Sequence, residues 1–304
     1  MNAGLIASVH ARLLARAKER GEDFNLTLTR YAVERFLYRL SISVLREKFW
    51  LKGALLFDLW FQAPHRPTRD ADLLGLGPQD AAVLGDAVRT ICNIQAGDGM
   101  VFHASSIGIE EIREDTRYGG LRVRLVGLLG RARSTVQLDV GYGDAVTPGP
   151  EEIDYPVLLT DQPAPRLRAY PRATVAAEKF EAIVSIGMAN TRMKDYFDLR
   201  ALAREGILDP ATLAGAIAAT FARRGAALPD AMPAGLSDEF AGDAVKRGQW
   251  KAFLARNRLE ASELSQAVTE VREFVAEPLH LARERGRDRP KGIENETSPF
   301  RQRE

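Results

Sequence analysis

Apolar residues recur at helical spacing from the start of the chain. Leu5, Val9, Leu13 and Leu14 alternate with arginines and lysines, and Gly21 punctuates the stretch. A second helix follows, with Thr27 or Thr29 as its expected cap. It places Ala32, Phe36 and Leu40 on one stripe and Arg35 and Arg39 on another, a solvated face or, alternatively, a contact for phosphate. Phe49 to Leu59 is apolar apart from Lys52 and Asp58. It predicts a short strand or turn at Leu51-Lys52-Gly53 and a helix from Ala54 to about Phe61. Residues 62–69 carry Pro64 and Pro67 and predict a loop. Arg69 to Leu74 predicts a strand that Gly75, Gly77 and Pro78 end, and a helix then runs from Gln79 to Cys92.

Further on, the period changes from helical to alternating. Leu121 to Leu125 alternates apolar residues with arginine. Ser134 to Val140 sets Val136, Leu138 and Val140 on one face and Gln137 and Asp139 on the other. Gly130-Arg131 suits a hairpin turn within a β segment from Met100 to Gly143. Thr147 to Arg168 predicts a connection with one short strand, Val157 to Leu159. Helices return at Ala176–Met188 and Met193–Arg204, and then at Asp209-Pro210, a capping acid followed by proline at the first turn. Leu213, Ile217 and Phe221 line that helix and Gly225 ends it. After a loop-rich patch from Ala226 to Gly242, Leu264, Val268, Val271 and Val275 mark a last long helix. Beyond Arg283 the composition turns charged and predicts a disordered tail. The expected organisation is α+β: a core over residues 1–165, a mixed sheet flanked by helices; a helical C-terminal lobe over 166–284; and a tail over 285–304.

Composition narrows this only a little. With 304 residues, 45% hydrophobic and 27% charged, the chain fits a globular protein of one large or two modest domains. Lys+Arg is 42 against Asp+Glu 41, so bulk charge is silent on a nucleic-acid partner and only a local patch can speak for one. The one cysteine, Cys92, excludes an intrachain disulfide and a cysteine-based zinc site. The four histidines, His10, His65, His103 and His280, show no ligand spacing. Arg12, Arg16, Lys18 and Arg20 interrupt the N-terminal apolar pattern, so neither a signal peptide nor a membrane span is predicted, and a cytoplasmic protein is expected.

The chemistry concentrates in three aspartates. Asp70 and Asp72 stand two residues apart on a predicted strand, which puts both carboxylates on one face. Such a pair repels itself unless neutralised, and a hard divalent cation suits it. Asp139 lies mid-strand on a non-apolar face. If its strand neighbours the first, the three can hold two ions about 3.5–4 Å apart, as phosphoryl transfer uses them. Gly53 precedes them on an apolar element. It is a tight turn or a place where backbone N–H groups approach a phosphate. Asp-x-Asp alone is a weak signal, and no Walker, H-E-x-x-H or G-x-S-x-G motif accompanies it.

K-G-A-L-L-F followed by R-P-T-R-D-A-D-L-L-G resembles the AbiEii/AbiGii toxin family, a branch of the DNA polymerase beta-like nucleotidyltransferases. Three further elements follow the family's pattern in order: E-R-F-L-Y-R-L at Glu34–Leu40, A-E-K-F-E-A at Ala177–Ala182, and K-D-Y-F-D-L at Lys194–Leu199. Together they span about Arg30 to Leu199. The superfamily's second glycine or serine is Ala54 here, so no hydroxyl is offered to phosphate at that position, though a backbone N–H still can be.

The resemblance implies an enzyme that moves a nucleoside monophosphate from a nucleoside triphosphate to a hydroxyl, releasing pyrophosphate. Asp70, Asp72 and Asp139 would hold Mg²⁺ or Mn²⁺, and Lys179 would bind the triphosphate. Asp195 or Asp198 would orient Lys179 or activate the acceptor. Lys52, Gly53, Ala54, Arg66, Thr68 and Arg69 would flank the nucleotide, with Arg66 or Arg69 either touching it or solvated in the loop. It also implies a toxin of a toxin–antitoxin pair, with RNA, such as a tRNA 3′ end, as acceptor and a winged-helix antitoxin as partner. Arg122, Arg124, Arg131 and Arg133 are a candidate strip for RNA phosphates or ordinary solubilising residues. Two other readings stand beside it: a nucleotide-binding protein acting by association, and a transferase that modifies a protein hydroxyl.

Overall fold

The structure, a computed structural model, describes residues 3–61, 65–112 and 119–287. Helices α1 (Ala3–Glu19) and α2 (Phe24–Ser41) lead into β1 (Phe49–Lys52), α3 (Leu55–Trp60), β2 (Asp70–Gly75) and α4 (Ala81–Cys92). Three long strands follow, β3 (Met100–Ile112), β4 (Gly120–Leu129) and β5 (Ala132–Tyr142), then two short ones, β6 (Glu151–Asp154) and β7 (Arg166–Ala169). The remainder is helical: α5 (Arg172–Ile186), α6 (Met193–Glu205), α7 (Pro210–Arg223), α8 (Asp238–Gly242), α9 (Ala244–Arg256) and α10 (Leu264–Arg287).

The strands form one seven-stranded mixed sheet in the order β3-β4-β5-β2-β1-β7-β6. β2 runs parallel to β5 and β1 parallel to β7, and the other neighbours are antiparallel. Alternation decides which face is which. Ala71, Leu73, Leu121, Val123, Leu125, Val136, Leu138 and Val140 are all buried, and α2 and α4 pack under β5 and β3. Asp70, Asp72, Arg122, Gln137 and Asp139 occupy the alternate positions and so stand on the opposite, open face. The α+β sheet flanked by helices, with helices after it, is the expected fold.

Local expectations differ in instructive places. α2 starts a turn early, capped by Asp23, whose carboxylate accepts from the Leu26 N–H at 3.2 Å; Thr29 instead donates to the Asn25 carbonyl. α4 starts at the Asp80 cap rather than at Gln79. No strand forms at 157–159, where the chain bends, and the Leu158 N–H donates to the Glu34 carboxylate at 2.6 Å. The strands there are β6 and β7, whose partners are charged: Arg46 and Arg166 reach Glu152, and Arg168 reaches Glu47. An edge hairpin held by ion pairs shows no apolar alternation to read. Because β7 belongs to the sheet, we propose that the lobe boundary lies after Ala169 rather than at 165. α9, with Trp250 and Leu254 buried, was not expected, and α10 runs to Arg287, past the expected start of the tail. The rest of that tail, and loop residues 62–64, lie outside the described residues. Among the described residues no helix is long and apolar enough to cross a membrane.

Arg35 and Arg39 are neither solvated nor available to phosphate; both are fully buried. Arg39 forks onto Asp98 at 2.6 and 3.0 Å and donates to the carbonyls of Ile94, Arg35 and Met100. Arg35 pairs with Glu34 at 2.7 Å and donates to the Pro163 carbonyl. These pairs tie α2 to the start of β3 and to the loop before β7. Asp98→Ala would strand the Arg39 guanidinium in the interior, a cost of about 3–5 kcal/mol. The expected outcome is a lower urea midpoint at unchanged slope, and a wild-type midpoint would show that this pair does not anchor the helix.

Candidate active site

The sheet register assembles the site. Asp72 on β2 is the Cα partner of Lys52 on β1 and, on its other side, of Asp139 on β5. Asp139 in turn faces Arg122 on β4, and Arg122 faces Glu110 on β3. One cross-strand row on the open face thus reads Lys52, Asp72, Asp139, Arg122, Glu110. Asp70 lies two residues along β2, on the same face, opposite Gln137.

Gly53 holds a left-handed φ of 72° at the end of β1. A Cβ there would lie 2.1 Å from Asp72 Oδ2 and 2.8 Å from its Cβ. Glycine is therefore required twice, by the turn and by the carboxylate that rests against it. Ala54 follows before α3, which is only six residues long.

Among the described residues, no ion pair is made by Asp70 or Asp72, though lysines lie nearby. Burial raises the pKa of Asp70, and the neighbouring Asp139 and Asp72 raise it further. Burial also raises Asp72, against the pull of Lys52 and Lys194. No described residue donates a hydrogen bond to either carboxylate. Asp139, by contrast, is gripped by Arg122 through Nε at 2.8 Å and a terminal nitrogen at 2.7 Å. Among the described residues, no group of three or more acids, histidines or cysteines stands ready-made around a cation. The donor set nevertheless fits a hard divalent ion: carboxylate oxygens on one face of adjacent strands, two of them without partners. Asp139 shares that face and is held by Arg122.

The facing wall comes from the helical lobe. Lys179 on α5 places its ammonium 3.0 Å from Asp195 and 2.7 Å from Asp198, both on α6 and both fully buried. Asp198 also receives both arms of Arg66, at 2.8 and 2.9 Å, and His65 Nε2 at 3.0 Å. Asp195 receives Arg192 at 2.6 Å. Burial opposes the Asp198 charge, yet Lys179 and Arg66 hold its pKa well below the usual carboxylate range. Both aspartates are buried and turned onto these cations, which fixes the position of the Lys179 ammonium. Arg66 belongs to this hub and is not solvated, and it also lines the cleft. Arg69 is exposed in the cleft, and Thr68 reaches only the Asp70 carbonyl, at 3.5 Å.

Lys52 belongs to a second network. Its ammonium lies 2.5 Å from Asp144 and 3.7 Å from Glu178, and Tyr170 donates to Asp144 at 2.9 Å. Burial works against the Lys52 charge, but Glu178 and Asp144 keep it protonated, with the pKa raised. Glu178, the middle residue of A-E-K, thus links α5 to the strand beneath Asp72. Lys194 has no ion pair among the described residues and lines the cleft; burial, with Arg192 and Lys179 nearby, lowers its pKa. Asp144, Tyr170, Glu178 and Lys194 escaped sequence reasoning as site residues. Glu178 and Lys194 lie within motifs that were recognised, while Asp144 and Tyr170 carried no signal of their own.

Between the walls lies a cleft of about 1290 Å³, lined by Asp70, Asp72, Asp139, Lys52, Lys179 and Lys194 and extending to Arg20, Arg256 and Arg258. Twelve lysines and arginines line it against eight carboxylates. Arg124 is exposed, pairs with Glu110 at 2.8 Å and donates to Gln137 Oε1 at 3.2 Å. Arg131 and Arg133 are exposed.

A mixed sheet with Asp-x-Asp on one strand, a third aspartate on its parallel neighbour and a helical lobe across a cationic cleft has the architecture of a nucleotidyltransferase. The chain belongs to the AbiEii family, since the family model described as nucleotidyl transferase AbiEii toxin, type IV toxin–antitoxin system, matches residues 35–290. Two solved chains from Helicobacter pylori are similar in structure. JHP933 is 15% identical, with a TM-score of 0.45, over 83% of this chain and 91% of that one. The other, described as a proposed nucleotidyltransferase, is 15% identical, with a TM-score of 0.43, over 84% and 95%. No curated protein matches the sequence.

Gly53→Ala tests the seat of Asp72. Backbone strain of about 1–3 kcal/mol is expected, together with a loss of transfer of about 100-fold from a carboxylate pushed out of place. Near wild-type turnover, measured beside a urea titration, would show that Asp72 needs no such seat.

Proposed function

We propose that this AbiEii nucleotidyltransferase moves a nucleoside monophosphate from a nucleoside triphosphate to a hydroxyl of RNA, such as a tRNA 3′ end, in a divalent-cation-dependent reaction. The observation that carries the reading is the β2–β5 register, which sets Asp72 beside Asp139 with Asp70 on the same face. Asp70, Asp72 and Asp139 would hold Mg²⁺ or Mn²⁺, which when bound supplies charge neutralisation to the triphosphate. Lys179, aimed by Asp195 and Asp198, and Lys194, without a carboxylate of its own, face the same space and would bind the triphosphate oxygens. Lys52, Gly53, Ala54 and the exposed Arg69 would border the nucleotide.

The acceptor oxygen bonds to the α-phosphorus as the bond to pyrophosphate breaks, and the acceptor proton passes to Asp139. Such transfers rely on positioning and neutralisation more than on covalent chemistry by the protein. Two features support a polyanionic acceptor. The cleft is larger than the roughly 300–1,000 Å³ of a usual small-molecule pocket, and its lining is cationic well beyond the carboxylates. In the cell we propose a cytoplasmic toxin countered by a winged-helix antitoxin. A second reading, binding without turnover, draws on the Arg122–Asp139 pair, which occupies the third carboxylate.

The test is incubation with each labelled nucleoside triphosphate, Mg²⁺ and total tRNA. Label on tRNA is expected with at least one nucleotide. Nucleotide binding without transfer would favour the second reading, and label on protein would favour a protein hydroxyl as acceptor. Asp72→Ala is expected to abolish transfer while keeping the wild-type urea midpoint or raising it, because it relieves repulsion. Retained activity in that variant would sink the cation-site reading.

A further inference from the structure

We infer that Arg122 is a latch on the third carboxylate: it neutralises Asp139 while the site holds no cation and competes with the cation for it. This rests on the cation site proposed above.

The geometry is specific. Arg122 and Asp139 are cross-strand partners, and both guanidinium arms meet both carboxylate oxygens, at 2.8 and 2.7 Å. Gln137 adds a weaker contact to Asp139 at 3.3 Å. Asp70 and Asp72, which share the face, have no such partner, so the cations on the sheet are not spread evenly over the three acids. The pair is also built to open. Its side chains are 29% and 19% exposed, unlike the buried hub of Asp198, so water can take over the contacts that opening gives up. Release has a destination, because Glu110 on β3 is the cross-strand partner of Arg122 on its other side and is exposed; it already holds Arg124 at 2.8 Å, and its carboxylate has room for a second guanidinium. Arg122 therefore stands between an acid inside the site and an acid outside it, and a change of rotamer exchanges one for the other. A divalent ion bound by Asp70 and Asp72 would repel the guanidinium and draw Asp139 inward. Arg122 is thus a positioning residue whose pairing sets how tightly the site takes its ion.

Mn²⁺ binding followed by electron paramagnetic resonance, with no nucleotide present, separates the possibilities. Arg122→Gln is expected to bind Mn²⁺ at least about fivefold more tightly than wild type, the low end of common coupling between sites. Arg122→Lys, which keeps the charge but loses the fork, is expected to fall between. Asp72→Ala is expected to lose binding. If Asp72→Ala loses Mn²⁺ while both Arg122 variants bind as wild type or more weakly, the latch is wrong and the cation site stands. If Mn²⁺ binding ignores Asp72→Ala as well, the cation site fails and takes the latch with it. Damage to the fold would weaken binding, so tighter binding is not an outcome a merely structural arginine produces.

Discussion

Like charge crowded onto one face of a sheet is the constraint around which the rest of this protein is arranged. The parallel pairing of β2 and β5 brings Asp72 level with Asp139, and the two-residue repeat adds Asp70. In a half-buried setting, carboxylates this close cost free energy unless cations answer them. The protein answers from the flanks of the row, with Lys52 on one side and Arg122 on the other. Among the described residues, none donates a hydrogen bond to the Asp70 or Asp72 carboxylate. That residual demand for positive charge is the chemical content of the site.

The opposite wall solves the reverse problem. There the carboxylates are fully buried and the cations outnumber them: Asp195 and Asp198 receive Lys179, Arg66 and Arg192, and His65 adds a hydrogen bond to Asp198. A buried ion pair is rarely a net source of stability, but removing one member is expensive. The hub is therefore better understood as a device for orientation. It fixes the Lys179 stem against α6 and pins the loop before β2 to the helical lobe through Arg66. Loop, helix and strand then keep a common spacing across the cleft. An inactive Asp198 variant would consequently say little about direct chemistry, because the same change frees Lys179 and Arg66 and loosens the wall.

Much of this was legible in the sequence where one physical rule acted alone. Alternation in Ser134–Val140 placed Asp139 on the open face, and Asp-Pro at 209–210 marked the start of α7. The failures share a cause. Arg35 and Arg39 read as surface residues because burial of a charge depends on distant partners, here the Pro163 carbonyl for one, beside its neighbour Glu34, and Asp98 beyond β2 for the other. β6 and β7 pair through charged residues and so lack the apolar period that reveals a strand. The pairing of Arg66 was not legible because nothing near it in sequence announces Asp198, which is supplied by a helix more than a hundred residues away. Gly53 was recognised as special, but its closest demand comes from Asp72 rather than from a phosphate.

The near balance of 42 basic and 41 acidic residues shows why bulk charge was silent. Many of the acids are spent against buried or edge-strand arginines, where they shape the fold and project little field. What remains at the cleft is unequal: more cations than carboxylates line it, yet two of those carboxylates lack hydrogen-bond partners. Net neutrality thus conceals a separation in space, with negative charge concentrated at the β2–β5 centre and positive charge spread along the walls. A divalent ion suits the centre and a chain of phosphates suits the walls. A ligand bearing both, a triphosphate with its cation, matches the arrangement better than either alone.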